Sequence, residues 1–203
     1  MLDWVLNLTT AFGLSTSAGL NAYIPLLTVA LLARFTGLIT LEEPWSAITN
    51  WWIMGLLAVL LIVDVLADKI PAVDSVNDVI ETVIRPTAGA ILFAATTQHT
   101  INMNPVLALG CGVVLAGSVH AIKASARPVI TATTAGTGNP IMSSIEETVS
   151  AVTSLLAIIF PYLVLFWMFL LILLLYLIVR RRRLRVEARE AVRVADRATF
   201  EDF

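Results

Sequence analysis

Residues 64–86 read DVLADKIPAVDSVNDVIETVIRP, and this stretch decides how the chain is understood. It leaves one apolar run and leads into another, yet it carries Asp64, Asp68, Lys69, Asp74, Asp78, Glu81 and Arg85. After Pro71 the apolar positions Val73, Val76, Ile80 and Val83 recur at helical spacing, while Asp74, Asp78 and Glu81 form a second stripe. That pattern predicts an amphipathic helix opened by a proline. Charge at membrane depth is expensive, so in a membrane chain such a segment is a functional lead.

The surroundings are membrane-like. Of 203 residues, 58% are hydrophobic and 14% charged, and mean hydropathy is +0.87. Soluble domains carry roughly 45–50% apolar residues even with glycine counted. The length allows several spanning helices of about 20 residues within one domain. The single Cys111 lies in an apolar run, which excludes an intrachain disulfide and a multi-cysteine metal site and predicts a packing role. The net charge of −2 hides a split: from Arg180 onward eight arginines face five acids, leaving five bases and ten acids before them. The opening MLDWVLNL lacks a basic n-region, so no cleavable signal peptide is expected.

Upstream of the charged stretch, residues 1–13 predict a short amphipathic helix with Trp4 at the interface. In LSTSAGLNAYIPLLTVALLARF the apolar part, about Ala18 to Ala33, is slightly short for a span, and Pro25 predicts a kink. Ser15, Thr16, Ser17, Gly19 and Asn21 make its start small and polar, suited to close helix approach and interhelix hydrogen bonds. Residues 36–50 read as an exposed loop, with Trp45, Trp51 and Trp52 as interfacial anchors. A second apolar run covers 51–67.

Downstream, a third run covers about Thr87 to Ala95 and a fourth Val106 to Val119, leading to His120 and Lys123. Residues 124–150 are too polar for a lipid-facing span; they hold Arg127-Pro128 and the loop signal AGTGNP, then the helix-like IMSSIEETVSAV. The last run, Ala151 to Val179, is 29 residues without a charge and must span, tilted or kinked at Pro161. Arg180 to Arg183 follow at once, and the positive-inside rule places the C-terminus in the cytoplasm.

A weak internal repeat runs through this order. Pro71-x-x-x-Ser75-x-x-Asp78-x-Ile80 matches Pro140-x-x-x-Ser144-x-x-Glu147-x-Val149, and Thr16-Ser17-Ala18-Gly19 matches Pro86-Thr87-Ala88-Gly89. Lys69 and Lys123 each end an apolar run. Two units at about 10–84 and 86–150, each crossing three times, would lie inverted relative to one another, the plan of many secondary transporters. The expected fold is therefore all-α: a polytopic helical membrane domain at 1–179, with a 3+3 inverted repeat plus a C-terminal transmembrane helix at 151–179, and a basic cytoplasmic tail at 180–203. If the two polar helices do not enter the membrane, the crossings fall from seven to five.

Parts of this sequence resemble a known family. GLNAYIPLL, DKIPAVDSVND with the following RPTAGA, and HAIKASAR with the later Glu146-Glu147 are similar to the bacterial membrane family of domain of unknown function 4126, over about residues 10–165. DKIPxVD is the more specific piece. The resemblance implies an integral membrane protein, expected in the bacterial inner membrane. It brings no substrate and no catalytic residue with it.

Asp64 and Asp68 lie one helical turn apart, as do Asp74 and Asp78. Such pairs either bind a cation or share a proton, or they reach water at a helix end. Lys69, Arg85, Lys123 and Arg127 hold an anion, neutralise these acids, or determine topology. Glu146 and Glu147 sit near a predicted helix start, where acids suit the dipole. His120 and Lys123 share a helix face, and that histidine is either a proton carrier or a satisfied side chain. Ser75, Glu81, Asn139, Ser144 and Glu147 complete the candidate substrate- or ion-binding set.

The sequence has no HExxH, CxxC, close histidine pair or GxSxG, and AGTGNP lacks the Lys-Ser/Thr of a phosphate loop. Carboxylates can still hold a hard cation, so the metal and any cofactor stay open. The basic tail is interspersed with acids and suits anionic lipid rather than nucleic acid. The leading expectation is a small transporter or carrier with a charged central site formed by two proline-opened helices. The alternatives are a membrane-embedded enzyme acting on a lipid or phosphate-bearing substrate, and a membrane scaffold or assembly subunit. Expected partners are membrane lipids and a small solute or ion, with a homo-oligomer left open.

Overall fold

Among the described residues the order is α1 (Leu2–Leu20), α2 (Tyr23–Phe35), a 3-10 helix (Trp45–Thr49), α3 (Trp51–Ala67), α4 (Pro71–Ile101), α5 (Pro105–Thr134) and α6 (Asn139–Ile159). The computed structural model describes residues 2–101 and 103–166, and of residues 2, 71–76 and 99–101 the backbone only. The side chains of Asp74, Ser75 and His99, the end of the expected last span and the tail at 180–203 lie outside the described residues.

This is a helical membrane protein. Asn77–Gln98 within α4, α5 and α6 are long and apolar enough to cross a membrane, and α2 and α3 are shorter apolar helices. Its surface is apolar and much of its interior polar. Leu56, Val59, Ile62 and Val63 of α3, Val79 and Val83 of α4, and Val114, Ile122 and Val129 of α5 are exposed. Ser15, Ser17, Ser150, Ser154 and a set of charged side chains are buried. A contiguous apolar exterior of this kind needs lipid or another apolar partner around it.

α1 is the central helix, packed against α4, α5 and α6. Small residues let the backbones approach: Ser15 Oγ donates to Gly89 O at 2.9 Å, and Ser17 Oγ donates to Ser150 O at 2.8 Å and lies 2.7 Å from Ser154 Oγ. Thr9 and Thr16 turn their hydroxyls back onto Val5 O and Phe12 O, each at 2.7 Å, so those donors are satisfied without leaving the helix. The expected short helix at 1–13 is thereby corrected. Nothing in the sequence stops the helix at Gly13, which lies against Ala157 so closely that an added methyl would overlap it.

The break comes instead at Asn21-Ala22. Pro25 has no N–H to give the Asn21 carbonyl, and its ring crowds that oxygen. Asn21 Oδ1 accepts from Tyr23 N at 3.0 Å and Ile24 N at 3.1 Å and so starts α2 afresh. The kink expected from Pro25 falls one turn before it.

α4 runs unbroken through Pro86 for 31 residues, about 46 Å at 1.5 Å per residue. Residues 71–84 and 86–101 share this one helix, so the chain does not turn back between them as separate crossings would require. α5 likewise continues past Lys123 and through Pro128 to Thr134. A proline removes one N–H from such helices without ending them where neighbouring elements hold the axis. α4 and α5 are pressed together: a methyl on Gly112 would overlap the Gly89 carbonyl and the Ala90 backbone. The AGTGNP segment does turn, with Ala135 and Gly136 left-handed at φ 51° and 84°.

α6 joins the predicted polar helix to the first nine residues of the expected last span in one 21-residue helix. It ends at Phe160, whose dihedrals (φ −131°, ψ 61°) are non-helical. Pro161 follows, and a residue before proline is pushed away from the helical region. The loop at 36–50 is partly ordered by its 3-10 helix, and Gln98 Nε2 donates to Glu43 O at 3.2 Å, tying that segment to the end of α4.

Candidate functional site

Four helices turn polar residues toward one buried centre. On α5 the buried positions are Ala108, Gly112, Ala116, His120, Lys123 and Arg127, a single stripe that begins small and ends cationic. On α6 the same helical spacing buries Asn139, Ser143, Glu146, Ser150 and Ser154. α3 contributes Asp64, Asp68 follows directly as its C-terminal cap, and α4 contributes Glu81 and Arg85, all buried.

Arg127 and Lys123 join these faces. Arg127 Nη1 donates to Asp78 Oδ2 at 2.8 Å, and Nη2 donates to Asp68 Oδ2 at 3.3 Å and to Ser143 Oγ at 3.1 Å. Lys123 Nζ lies 2.7 Å from Glu146 Oε2 and 4.0 Å from Glu81 Oε2. One turn of α4 further on, Arg85 pairs with Glu81 and also reaches His120 Nδ1 at 3.4 Å. His120 Nε2 lies 3.1 Å from Thr82 Oγ1.

Two asparagines close the acidic side. Asn21 Nδ2 donates to Asp64 Oδ2 at 2.8 Å. Asn77 Nδ2 donates to Asp64 Oδ1 at 2.9 Å and to Asp68 Oδ1 at 3.1 Å. Asp64, Asp68 and Glu81 each place an oxygen within 4.8 Å of the other two, so these are the residues that could hold a hard cation. Among the described buried side chains, the four carboxylates of Asp64, Asp68, Glu81 and Glu146 exceed the three cations Arg85, Lys123 and Arg127 by one.

The structure therefore brings together Asp64, Asp68, Asp78, Glu81, Arg85, His120, Lys123 and Arg127 from the sequence-predicted set. Asn139 is buried at the edge, its Oδ1 accepting from Thr131 Oγ1 at 3.1 Å. Glu147 is half-buried. Ser144 stays outside: it is exposed and its Oγ donates to Pro140 O at 2.9 Å. Lys69 is also exposed, and lies with Pro140, Ile141 and Ser144 along a groove of about 560 Å³. Asp74 and Ser75 cannot be placed, their side chains being outside the described residues.

Sequence reasoning omitted Asn21, Asn77, Ser143 and Glu146 from the binding set. For the last two the signal was available, because Asn139, Ser143, Glu146, Ser150 and Ser154 follow helical spacing. Asn21 stands four residues before Pro25, where a helix break needs a cap. Asn77 carries no charge and lay hidden between Asp74 and Asp78.

No curated protein and no solved structure matches the chain. The family model described as a domain of unknown function (DUF4126) matches residues 8–181, a range that takes in every residue of the charged centre. The chain belongs to the DUF4126 family.

Proposed function

We propose that the protein is a small membrane carrier whose charged centre, where the proline-opened helices α4 and α6 meet α5, binds a small solute or ion in passage. One observation carries this: α5 presents two buried cations, Lys123 and Arg127, that together reach Asp68 at the C-terminal cap of α3 and carboxylates of α4 and α6. Ionisable groups inside membrane segments are kept where they serve a pathway or site. The helix break at Asn21, hydrogen-bonded to Asp64, gives further support, since carriers commonly build central sites from discontinuous helices. The matching segments that open at Pro71 and Pro140 favour two related halves, now sharing the continuous α4. Arg180 to Arg183 favour an inner-membrane protein with a cytoplasmic C-terminus.

A second reading has one specific support. The groove beside Lys69 sets an ammonium next to Ile141, Ile145 and Val149, an arrangement suited to a lipid phosphate and its chain. It fits an enzyme acting on lipid.

Asp78→Asn tests the carrier in proteoliposomes, where pH- or ion-driven uptake is measured across candidate solutes beside thermal stability in detergent. Lost uptake with unchanged stability is the expected result. Undiminished uptake at unchanged stability would remove the centre from function. A stability loss of about 3–5 kcal/mol would instead make Asp78 a structural partner of Arg127.

A further inference from the structure

We propose that a cavity at the far end of α1 from the charged centre binds a small primary ammonium cation. This gives the carrier assignment above a class of solute, and rests on it only for the solute's passage. The cavity has a volume of about 320 Å³ and lies between the start of α1, the loop after α2, α4 and the end of α6. That is the lower end of the range for small-molecule sites. Its polar walls are Asp3, Asn7 and Thr10 of α1, Thr40 of the loop and Thr96 of α4. None of its described lining residues is basic.

The threonines of these walls accept hydrogen bonds and have none to give. Thr96 Oγ1 donates its hydrogen to Leu92 O at 2.7 Å, and Thr10 Oγ1 donates to Ala157 O at 2.8 Å or Leu6 O at 3.0 Å. Each hydroxyl has only lone pairs left for a ligand. Asp3 adds an anionic acceptor, and among the described residues it has no hydrogen-bond or ion-pair partner. α6 stops beside the cavity, at Ile158 and Pro161, and the carbonyl end of a helix favours positive charge. An ammonium matches this set, with one charge for Asp3 and three N–H donors for the surrounding oxygens. Leu6, Leu38 and Ile39 line the remainder and suit a short alkyl chain rather than a hydrated inorganic ion. Asp3 also stands in the first turn of α1, where its charge suits the helix dipole. That role needs no ligand, so binding rather than stability distinguishes the two.

The seam of α1 and α6 leads from this cavity toward the charged centre. Thr10 is followed along it by Ser154, Ser17 and Ser150, all buried and the three serines in mutual hydrogen-bond reach, and then by Glu146 and Asn21. Gly13 against Ala157 shuts the seam between Thr10 and Ser17. A cation that takes this route meets hydroxyl oxygens before it meets a carboxylate.

Radiolabelled n-propylammonium is the probe, applied to the full chain in detergent at neutral pH, where the amine is charged. Saturable binding of one cation per chain is expected. Ethylammonium should displace it; tetramethylammonium, which has the charge without the donors, and propionate should not. Asp3→Asn should weaken binding about 10–100-fold, the range for a hydrogen bond to a charged group. Thr96→Val keeps the shape and loses the acceptor, and should weaken binding about 3–10-fold. The Thr96 hydroxyl bonds only within α4, so the fold does not depend on it. Absence of saturable binding by the folded wild type, equal displacement by tetramethylammonium, or unchanged affinity in Asp3→Asn would overturn the site. If Asp3→Asn fails to fold, Thr96→Val decides, and unchanged affinity there overturns the site. Binding needs no flux, so a bound amine without uptake into proteoliposomes would retire the carrier and leave the site standing. Uptake of another solute without amine binding would do the reverse.

Discussion

Arg85 Nη1 points at the carbonyl oxygen of Gly19 across 3.5 Å, the oxygen that Tyr23 N–H would take in an unbroken helix. Tyr23 N goes to Asn21 Oδ1 instead. The break between α1 and α2 and the buried guanidinium of α4 complete each other: one frees a carbonyl and the other supplies a donor. The same guanidinium orders His120. Because arginine only donates, Nδ1 of His120 accepts from it, so the ring hydrogen sits on Nε2 and is given to Thr82 Oγ1.

Asn21 should be among the more sensitive neutral positions. Asn21→Ala leaves two backbone N–H groups without their acceptor and takes a donor from Asp64, with an expected loss of about 1–3 kcal/mol. Asn21→Asp keeps the cap but sets a carboxylate against Asp64. It should be the less stable variant at alkaline pH and recover as pH falls, because protonating either carboxyl removes the repulsion. Thermal unfolding in detergent across pH checks both. A tolerated Asn21→Ala would mean that Pro25 alone sustains the break.

The Lys123–Glu146 pair, at 2.7 Å and buried on both sides, lends itself to a double-mutant cycle. Lys123→Met or Glu146→Gln alone leaves its partner exposed to the low-dielectric interior, at about 3–5 kcal/mol. The double variant should be milder than the sum by about 2 kcal/mol. Additive losses would show that α5 and α6 are not coupled through this contact.

Topology can be read by cysteine labelling in a Cys111→Ser background. If α5 crosses once, cysteines at Met103 and Thr137, just before and after it, label from opposite faces of the membrane. Labelling of both positions from one face would refute a single α5 crossing.

The membrane class and the polar centre were legible because they depend on local pattern: the charges of 64–86 between apolar runs, and the His120, Lys123, Arg127 spacing on one face. Helix continuity was not. Pro25 precedes no helix break of its own yet displaces one to Asn21, whereas Pro86 and Pro128 sit inside α4 and α5. The same residue acts differently because the surroundings decide whether a lost hydrogen bond can be replaced, and those surroundings come from distant segments. The α6 register shows a second limit. Aligning Pro140 with Pro71 selected Ser144 and Glu147, one position beyond Ser143 and Glu146, which the helix turns inward. Equal offset from a proline does not fix a shared face when the neighbouring helices approach from different sides.

The crossing at Gly89 and Gly112 has a mechanical consequence. Backbones this close leave no clearance for sliding, so α4 and α5 behave as one rigid body that carries Glu81, Arg85, His120, Lys123 and Arg127 together. α3 and α6 are fastened to that body through side chains: Asn77 with Asp64 and Asp68 on one flank, Lys123 with Glu146 and Arg127 with Ser143 on the other. Rocking of these two flanks against a fixed α4–α5 pillar would part and remake those polar contacts while the glycine seam stays shut.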